Sequence, residues 1–405
     1  MSDSDADPPE PVNPFSGIPM FADMARMLQN QGPINWDLAQ QFAYASATGG
    51  ASEMNIDPIS RVAIEQLGRI ADLHVRQVTG LETSVGGRDF QIAAVTKSQW
   101  AARTLDAYRP LVTQLATSLG QSPVVGATDA AGLSDYDDDA NDPMMAMMAS
   151  LGQMMAPSML GMAVGSMVGH LATRAFGQYD LPIPRPGSHE LLVVPANIDA
   201  FAADWELPID ELRLWVCLQE LTAHAVLNVP HIRAEVESLV SSHVAGFRPD
   251  PRALADKLGD MNLADNDMMK ALQRSLSDPE VLLGAVQSPA QLAALPRLNA
   301  IVSVITGYVD HAVDLEAAHT LGSGGRISEA VRRRRIEASA EDVFVEKLFG
   351  LTLTRQQVER GKAFADGVVE RAGEAGLSRL FTSAKNLPTP SEVDAPGLWL
   401  ARIDL

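Results

Sequence analysis

Trp215-Val216-Cys217-Leu218-Gln219-Glu220-Leu221-Thr222-Ala223-His224 is the stretch on which the reading of this chain turns. From Leu212 to Leu227 apolar residues fall on every side of a 3.6-residue period, not along one stripe, which predicts a helix buried all round. Asp210 and Glu211 stand just ahead of it, where carboxylates suit the positive end of a helix dipole. Asn228-Val229-Pro230 closes it, because a proline disfavours helical geometry at the residue before. One carboxylate, Glu220, interrupts the run, and burying it ionised is costly unless something pairs with it. His224 lies four residues on, on the same helix face, and is the local partner that the spacing offers. A central helix with a satisfied Glu220–His224 pair is one complete reading of the stretch.

Composition points the same way. The chain has 405 residues, 46% of them hydrophobic, which suffices for a large core. Alanine, leucine and methionine are abundant and only 5% is aromatic, which favours helix over sheet. A net charge of −20 argues against nucleic acid or an anionic membrane as a general partner. The single cysteine, Cys217, excludes an internal disulfide and sits inside the apolar run, so it reads as a small hydrophobe. No secretion signal opens the chain, and the expected location is the cytoplasm.

The sequence divides into an acidic, proline-rich tail over 1–14, a helical region over 15–127, an acidic loop over 128–142 and a core region over 143–405. In the helical region Ile64, Leu67, Ala71, His74 and Val78 form one stripe, with His74 read as a core residue. Asp135, Asp137, Asp138, Asp139 and Asp142 crowd the loop, but the glycine and glutamate that a calcium loop requires are absent in every register. Pro143 to Thr173 carries no Asp, Glu, Lys or Arg and is rich in methionine. There Pro157 is expected to split the run, while Gly161, Gly165 and Gly169 would let another helix approach closely. Soluble packing is the reading adopted for this segment, with methionines filling irregular space and a membrane span disfavoured.

Glu190 to Pro195 is the clearest strand candidate. Leu298, Ile301, Ile305, Tyr308 and Ala312 share a helix face further on. Arg332 to Arg335 reads as a solvated helix face, paired with Glu337, Glu341 and Asp342. Thr354 with Gln357, and Thr389 with Glu392, have the spacing of capping boxes. Gly397-Leu398-Trp399-Leu400 is apolar enough to dock on the body.

Several segments in order carry a resemblance. They are Gly32-Pro33-Ile34-Asn35-Trp36-Asp37-Leu38-Ala39, the run Gly177-Gln178-Tyr179-Asp180-Leu181-Pro182-Ile183-Pro184-Arg185-Pro186, and Leu192-Val193-Val194-Pro195-Ala196-Asn197. To these add Trp215 to Arg233 and Asp394-Ala395-Pro396-Gly397-Leu398-Trp399-Leu400-Ala401-Arg402. Together they resemble the zincin-like metallopeptidase type 2 family, actinobacterial proteins labelled hydrolase or zinc-dependent metalloprotease.

The resemblance implies a mainly α, zincin-like helical fold with a small β element beside the motif helix. It also implies an H-E-x-x-H motif, in which two histidines hold zinc and the glutamate acts as general base on zinc-bound water. Here the histidine positions fall on Gln219 and Ala223, and the base on Glu220, in a vestigial role. The third, glutamate ligand falls on Thr306, within Ile305-Thr306-Gly307-Tyr308-Val309-Asp310-His311. An amide, a methyl group and a hydroxyl make a poor zinc site, so no cofactor is expected. The implied function is a non-catalytic binding or structural protein that acts on a protein or peptide partner. The alternative is an active metal-dependent hydrolase with zinc held by a rebuilt polar site of His224, His231, Asp310 and His311 around Glu220. The resemblance would also make the 190–195 strand an edge for extended peptide.

Overall fold

Helices make up most of the computed structural model, which describes residues 32–84, 90–120, 143–186, 190–249, 285–286, 288–336, 348–351 and 354–404. The tail over 1–14, the acidic loop over 128–142, and Glu337, Glu341 and Asp342 lie outside these residues. In chain order the main elements begin with α1 (Trp36–Thr48), α2 (Pro58–Thr79), β1 (Gln91–Ala94), α3 (Lys97–Gly120) and α4 (Pro143–Ala172). Next come β2 (Glu190–Val193), α5 (Pro195–Asp204), α6 (Ile209–Asn228) and α7 (Pro230–Ala245). The short strands β3 (Arg248–Pro249) and β4 (Ala285–Val286) pair antiparallel. The chain closes with α8 (Pro289–Thr320), α9 (Gly324–Ile336), α10 (Arg355–Ser378), α11 (Pro390–Val393) and α12 (Pro396–Ile403).

The ends of these helices follow local chemistry. Asn35 caps α1 by accepting from the Leu38 N–H at 3.1 Å, and Asp57 caps α2 through Ser60 N at 3.2 Å. Gly49 ends α1 with φ of 62°, a left-handed turn that a glycine adopts without steric cost. Ser288 and Gln291 form a capping box on α8, and Thr389 with Glu392 forms the expected one on α11. Thr354 does precede α10, but its side chain makes no cap bond. Gln357 instead accepts from Ser303 Oγ at 2.8 Å, so a tertiary contact has taken the side chain that a local box would use.

α6 is the axis of the fold. Leu212 to Leu218 and Glu220 to Leu227 are all buried, as the all-round apolar pattern requires. Each fully buried leucine or valine contributes about 1.5–3 kcal/mol, so this helix anchors its neighbours α2, α8 and α5. α8 alone among the described helices is long and apolar enough to cross a membrane, and more than half of its apolar window is buried inside the fold. Leu298, Ile301, Ile305, Tyr308 and Ala312 form its core face as expected. Trp399 of α12 is fully buried and donates from Nε1 to Asn386 O at 2.6 Å, which docks the C-terminal segment.

The glycine stripe of α4 does what its spacing promises. A side-chain carbon at Gly161, Gly165 or Gly169 would run into the carbonyl oxygens of Asn35, Ala39 and Ala43. α1 answers with small residues on its buried face, Ala39, Ala43 and Ala47. α4 is continuous through Pro157, contrary to the expected break. Packing along α1 supports it there, and Pro157 O accepts from Asn35 N–H at 3.0 Å.

Two further features depart from the sequence reading. Strand β1 was not expected, and it pairs parallel with β2, Ile92 beside Leu191. This pairing, with the α1–α4 contact, merges the 15–127 and 143–405 regions into one continuous core. The other side of β2 is taken as well, by a bridge from Val193 to Gly177 and by Val194 N–H donating to Phe176 O at 2.8 Å. β2 therefore offers no open edge for an extended peptide along Leu192–Val194. Its backbone groups are spent on the segment that leads into the site.

Candidate functional site

Four positions singled out in the sequence meet around one pocket of about 100 Å³. Gln219, Glu220 and Ala223 face it from α6, and Thr306 faces it from α8. Gln219 and Ala223 share a helix face because they lie four residues apart, and Glu220 borders that face at about 100° from Gln219. Thr306 is brought opposite by the close crossing of α8 and α10, where a side chain at Gly307 would strike the backbone of Gly361. The pocket is completed by residues 174–182, by Asp310 of α8 and by Arg334 and Arg335 of α9.

Glu220 is 1% exposed, yet its partner is not His224. Its Oε2 accepts from the backbone N–H of Tyr179 at 2.8 Å, with the Gln178 backbone close behind. Burial, and next the nearby Asp180 carboxylate, push its pKa up to about 8, while those backbone N–H groups and Arg185 pull against the shift. Tyr179 also holds His224, through its hydroxyl and Nδ1 at 2.9 Å, and Asn228 Nδ2 lies 2.9 Å from His224 Nε2. Burial, then the Arg233 charge, drive the His224 pKa down to about 4, so the ring is neutral. The expected direct pair is thus replaced by one residue, Tyr179, that serves both side chains.

Of the remaining candidates, Asp310 reaches the pocket, whereas His231 and His311 do not line it. His231 Nε2 is 3.0 Å from Leu380 O, and His311 Nε2 is 3.0 Å from Glu374 Oε1. Asp310 lines the pocket but is bound to Arg335 Nη1 at 3.0 and 3.1 Å. Among the described residues no group of three His, Cys, Asp or Glu side chains is arranged to hold a metal ion. Zinc is what the resemblance implies for these positions. Gln219, Ala223 and Thr306 supply one amide oxygen, no donor atom and one neutral hydroxyl, which does not fit zinc. His74 meets a different fate from its core assignment: it is partly exposed, and Nδ1 lies 2.5 Å from Glu316 Oε1.

Arginines are what the sequence reading missed. Of the run Arg332 to Arg335, Arg333 alone behaves as a solvated residue, pairing with Glu329 one turn away. Arg332 turns to Asp314, Arg335 to Asp310, and Arg334 lies over the Phe176 ring with its guanidinium carbon 3.7 Å from the centroid. Arg334 donates to Arg174 O, and Arg174 Nη2 donates back to Arg334 O at 3.2 Å. Burial lowers the Arg334 pKa to about 10 against the favourable Asp180 charge, so it stays a cation. Acidic residues close to the run point to a solvated face. Nothing local signals that α9 lines the pocket.

With this geometry in place, the comparisons are unambiguous about kinship. The sequence matches the zincin-like metallopeptidase family over residues 34–400. The chain belongs to this family. Among solved structures it is similar to the "putative hydrolase with a novel fold" from Chloroflexus aurantiacus, with a TM-score of 0.56 and 20% identity. That likeness covers 92% of this chain and 99% of the other, and at this identity it speaks for the shared fold. No curated protein matches the chain. In this fold the segment Gly177 to Tyr179 is wrapped over Glu220 of α6. Trp100 Nε1 fixes that wrap by donating to Gly177 O at 2.8 Å.

Proposed function

We propose that this zincin-like protein is a non-catalytic member of its family that has kept the peptidase pocket as a binding site. One observation carries the reading: the positions assigned to the three ligands all line the pocket beside Glu220, and they hold Gln, Ala and Thr. A glutamate without a metal-bound water has no activated nucleophile to generate. Glu220 then serves as a buried polar group tied to the Tyr179 backbone, and the pocket recognises a ligand or a protein or peptide partner in the cytoplasm. The acidic net charge of −20 supports a partner other than nucleic acid.

A second reading has one feature in its favour. A carboxyl group with a pKa near 8 is poised for general acid–base work at neutral pH, which suits a hydrolase. Elemental mass spectrometry of the purified, untagged protein, before and after incubation with zinc, separates the two when combined with a peptide-hydrolysis assay. The binding reading expects no retained zinc and no turnover. Stoichiometric metal, with turnover that disappears in Glu220→Gln, overturns it.

A further inference from the structure

Three guanidinium groups, those of Arg174, Arg334 and Arg335, line the same pocket as Gln219, Glu220 and Thr306. Their charges are unevenly spent. Arg335 is neutralised by Asp310 through two contacts. Arg334 makes no ion pair with a carboxylate at contact distance among the described residues; its guanidinium rests on Phe176 and donates to a carbonyl. The nearest negative influence on it is Asp180, whose Oδ2 is already accepting the Phe176 N–H at 2.8 Å. Gln219 and Thr306 add an amide and a hydroxyl whose side chains form no hydrogen bond among the described residues. On the same helices Val216, Ile305, Val309 and Val331 add apolar lining.

We propose that this pocket receives the carboxylate of a small, partly apolar organic acid, gripped by Arg334 with Gln219 and Thr306 and with its apolar body against α6 and α8. This inference rests on the binding reading above and names the ligand class for it. Guanidinium–carboxylate contacts are short, charge-assisted and roughly twice as strong as neutral ones, and a desolvated Arg334 lacks such a partner. A carboxylate supplies the counter-charge that no carboxylate of the described residues brings to Arg334 at contact distance. A phosphate dianion would oppose Asp180 and Asp310. The carboxylate can belong to a free acid or to a peptide C-terminus.

Isothermal titration calorimetry on the full chain tests this with hexanoate and N-acetyl-leucine, their uncharged amides, and inorganic phosphate. At least one acid should bind saturably at one site, at least tenfold more tightly than its amide and than phosphate. Binding of N-acetyl-leucine alone identifies a peptide terminus, and binding of hexanoate identifies a free acid; both support the proposal. Arg334→Met removes the guanidinium while keeping an unbranched apolar stem, and should weaken the acid at least tenfold. Should that variant fail to fold, Gln219→Ala, at a half-exposed position, should weaken it at least threefold. Equal binding of acids and amides, tighter binding of phosphate, or no binding of either acid overturns the proposal. Equal binding of acids and amides leaves the binding reading standing. That reading falls separately, on zinc retention and Glu220-dependent hydrolysis.

Discussion

Gly177 lies directly against the carboxyl group of Glu220, so closely that a side-chain carbon at 177 would overlap it. The contact lets the backbone of Gln178 and Tyr179 turn over the α6 helix and present N–H groups to the acid. Trp100 clamps the same residue by its carbonyl. A buried acid in an apolar helix is therefore satisfied by main chain, and the fit depends on the absence of a methyl group.

Gly177→Ala should be destabilising by about 1–3 kcal/mol, the usual cost of overpacking a filled core. Urea unfolding of the variant beside the parent protein checks this. An unchanged midpoint would mean that Glu220 has room to withdraw.

Glu220 should give the protein a distinctive response to alkali. Its folded pKa, about 8, lies above the ordinary carboxyl value of 4.5. Between those values the unfolded chain has released the proton and the native state has kept it. The native state thus loses stability as pH rises from 4.5 toward 8, by an amount on the order of a few kcal/mol. Glu220→Gln, neutral throughout, should remove this loss. The melting-temperature gain of the variant over the parent should be larger at pH 8 than at pH 5, and a gain independent of pH would contradict it.

His224 acts on the acid side. Its folded pKa of about 4 lies below the ordinary 6.5, so the unfolded chain takes up a proton first as pH falls. The stability that the neutral ring contributes is complete above pH 6.5 and is lost on descent toward 4. In His224→Gln the thermal stability should fall less steeply over that window. A parallel fall in both proteins would place the acid response elsewhere.

Restoring zinc ligands tests the placement of the motif. Gln219→His with Ala223→His and Thr306→Glu puts three donors on the wall where Glu220 already stands. This triple variant should retain close to one zinc per chain after gel filtration, and the double variant without Thr306→Glu distinctly less. Equal zinc in the two would show that Thr306 is not the third position.

Gly165→Ala should loosen the α1–α4 contact. The added carbon would meet the Ala39 backbone, which cannot move aside as a flexible side chain could. A loss of about 1–3 kcal/mol in chemical denaturation is expected.

The sequence by itself determined the central helix, its limits and its burial, because apolar periodicity and a following proline act locally. It also singled out Gln219, Glu220, Ala223 and Thr306, which the fold brings to one pocket. The small-residue contact of α4 was legible too, for a run of glycines every fourth residue has one geometric meaning on a helix.

Tertiary structure decided everything that depends on groups far apart in the chain. Glu220 is satisfied by Tyr179, 41 residues away, and not by His224 on its own face. The unannounced strand β1 closes one edge of β2, and the Gly177 segment closes the other. Arg334, which local spacing assigned to solvent, lines the pocket because α9 packs beside α6. Hydrophobic period reports how a helix turns its faces. It does not report which distant backbone or charge will be laid against them, and the chemistry of this pocket was set there.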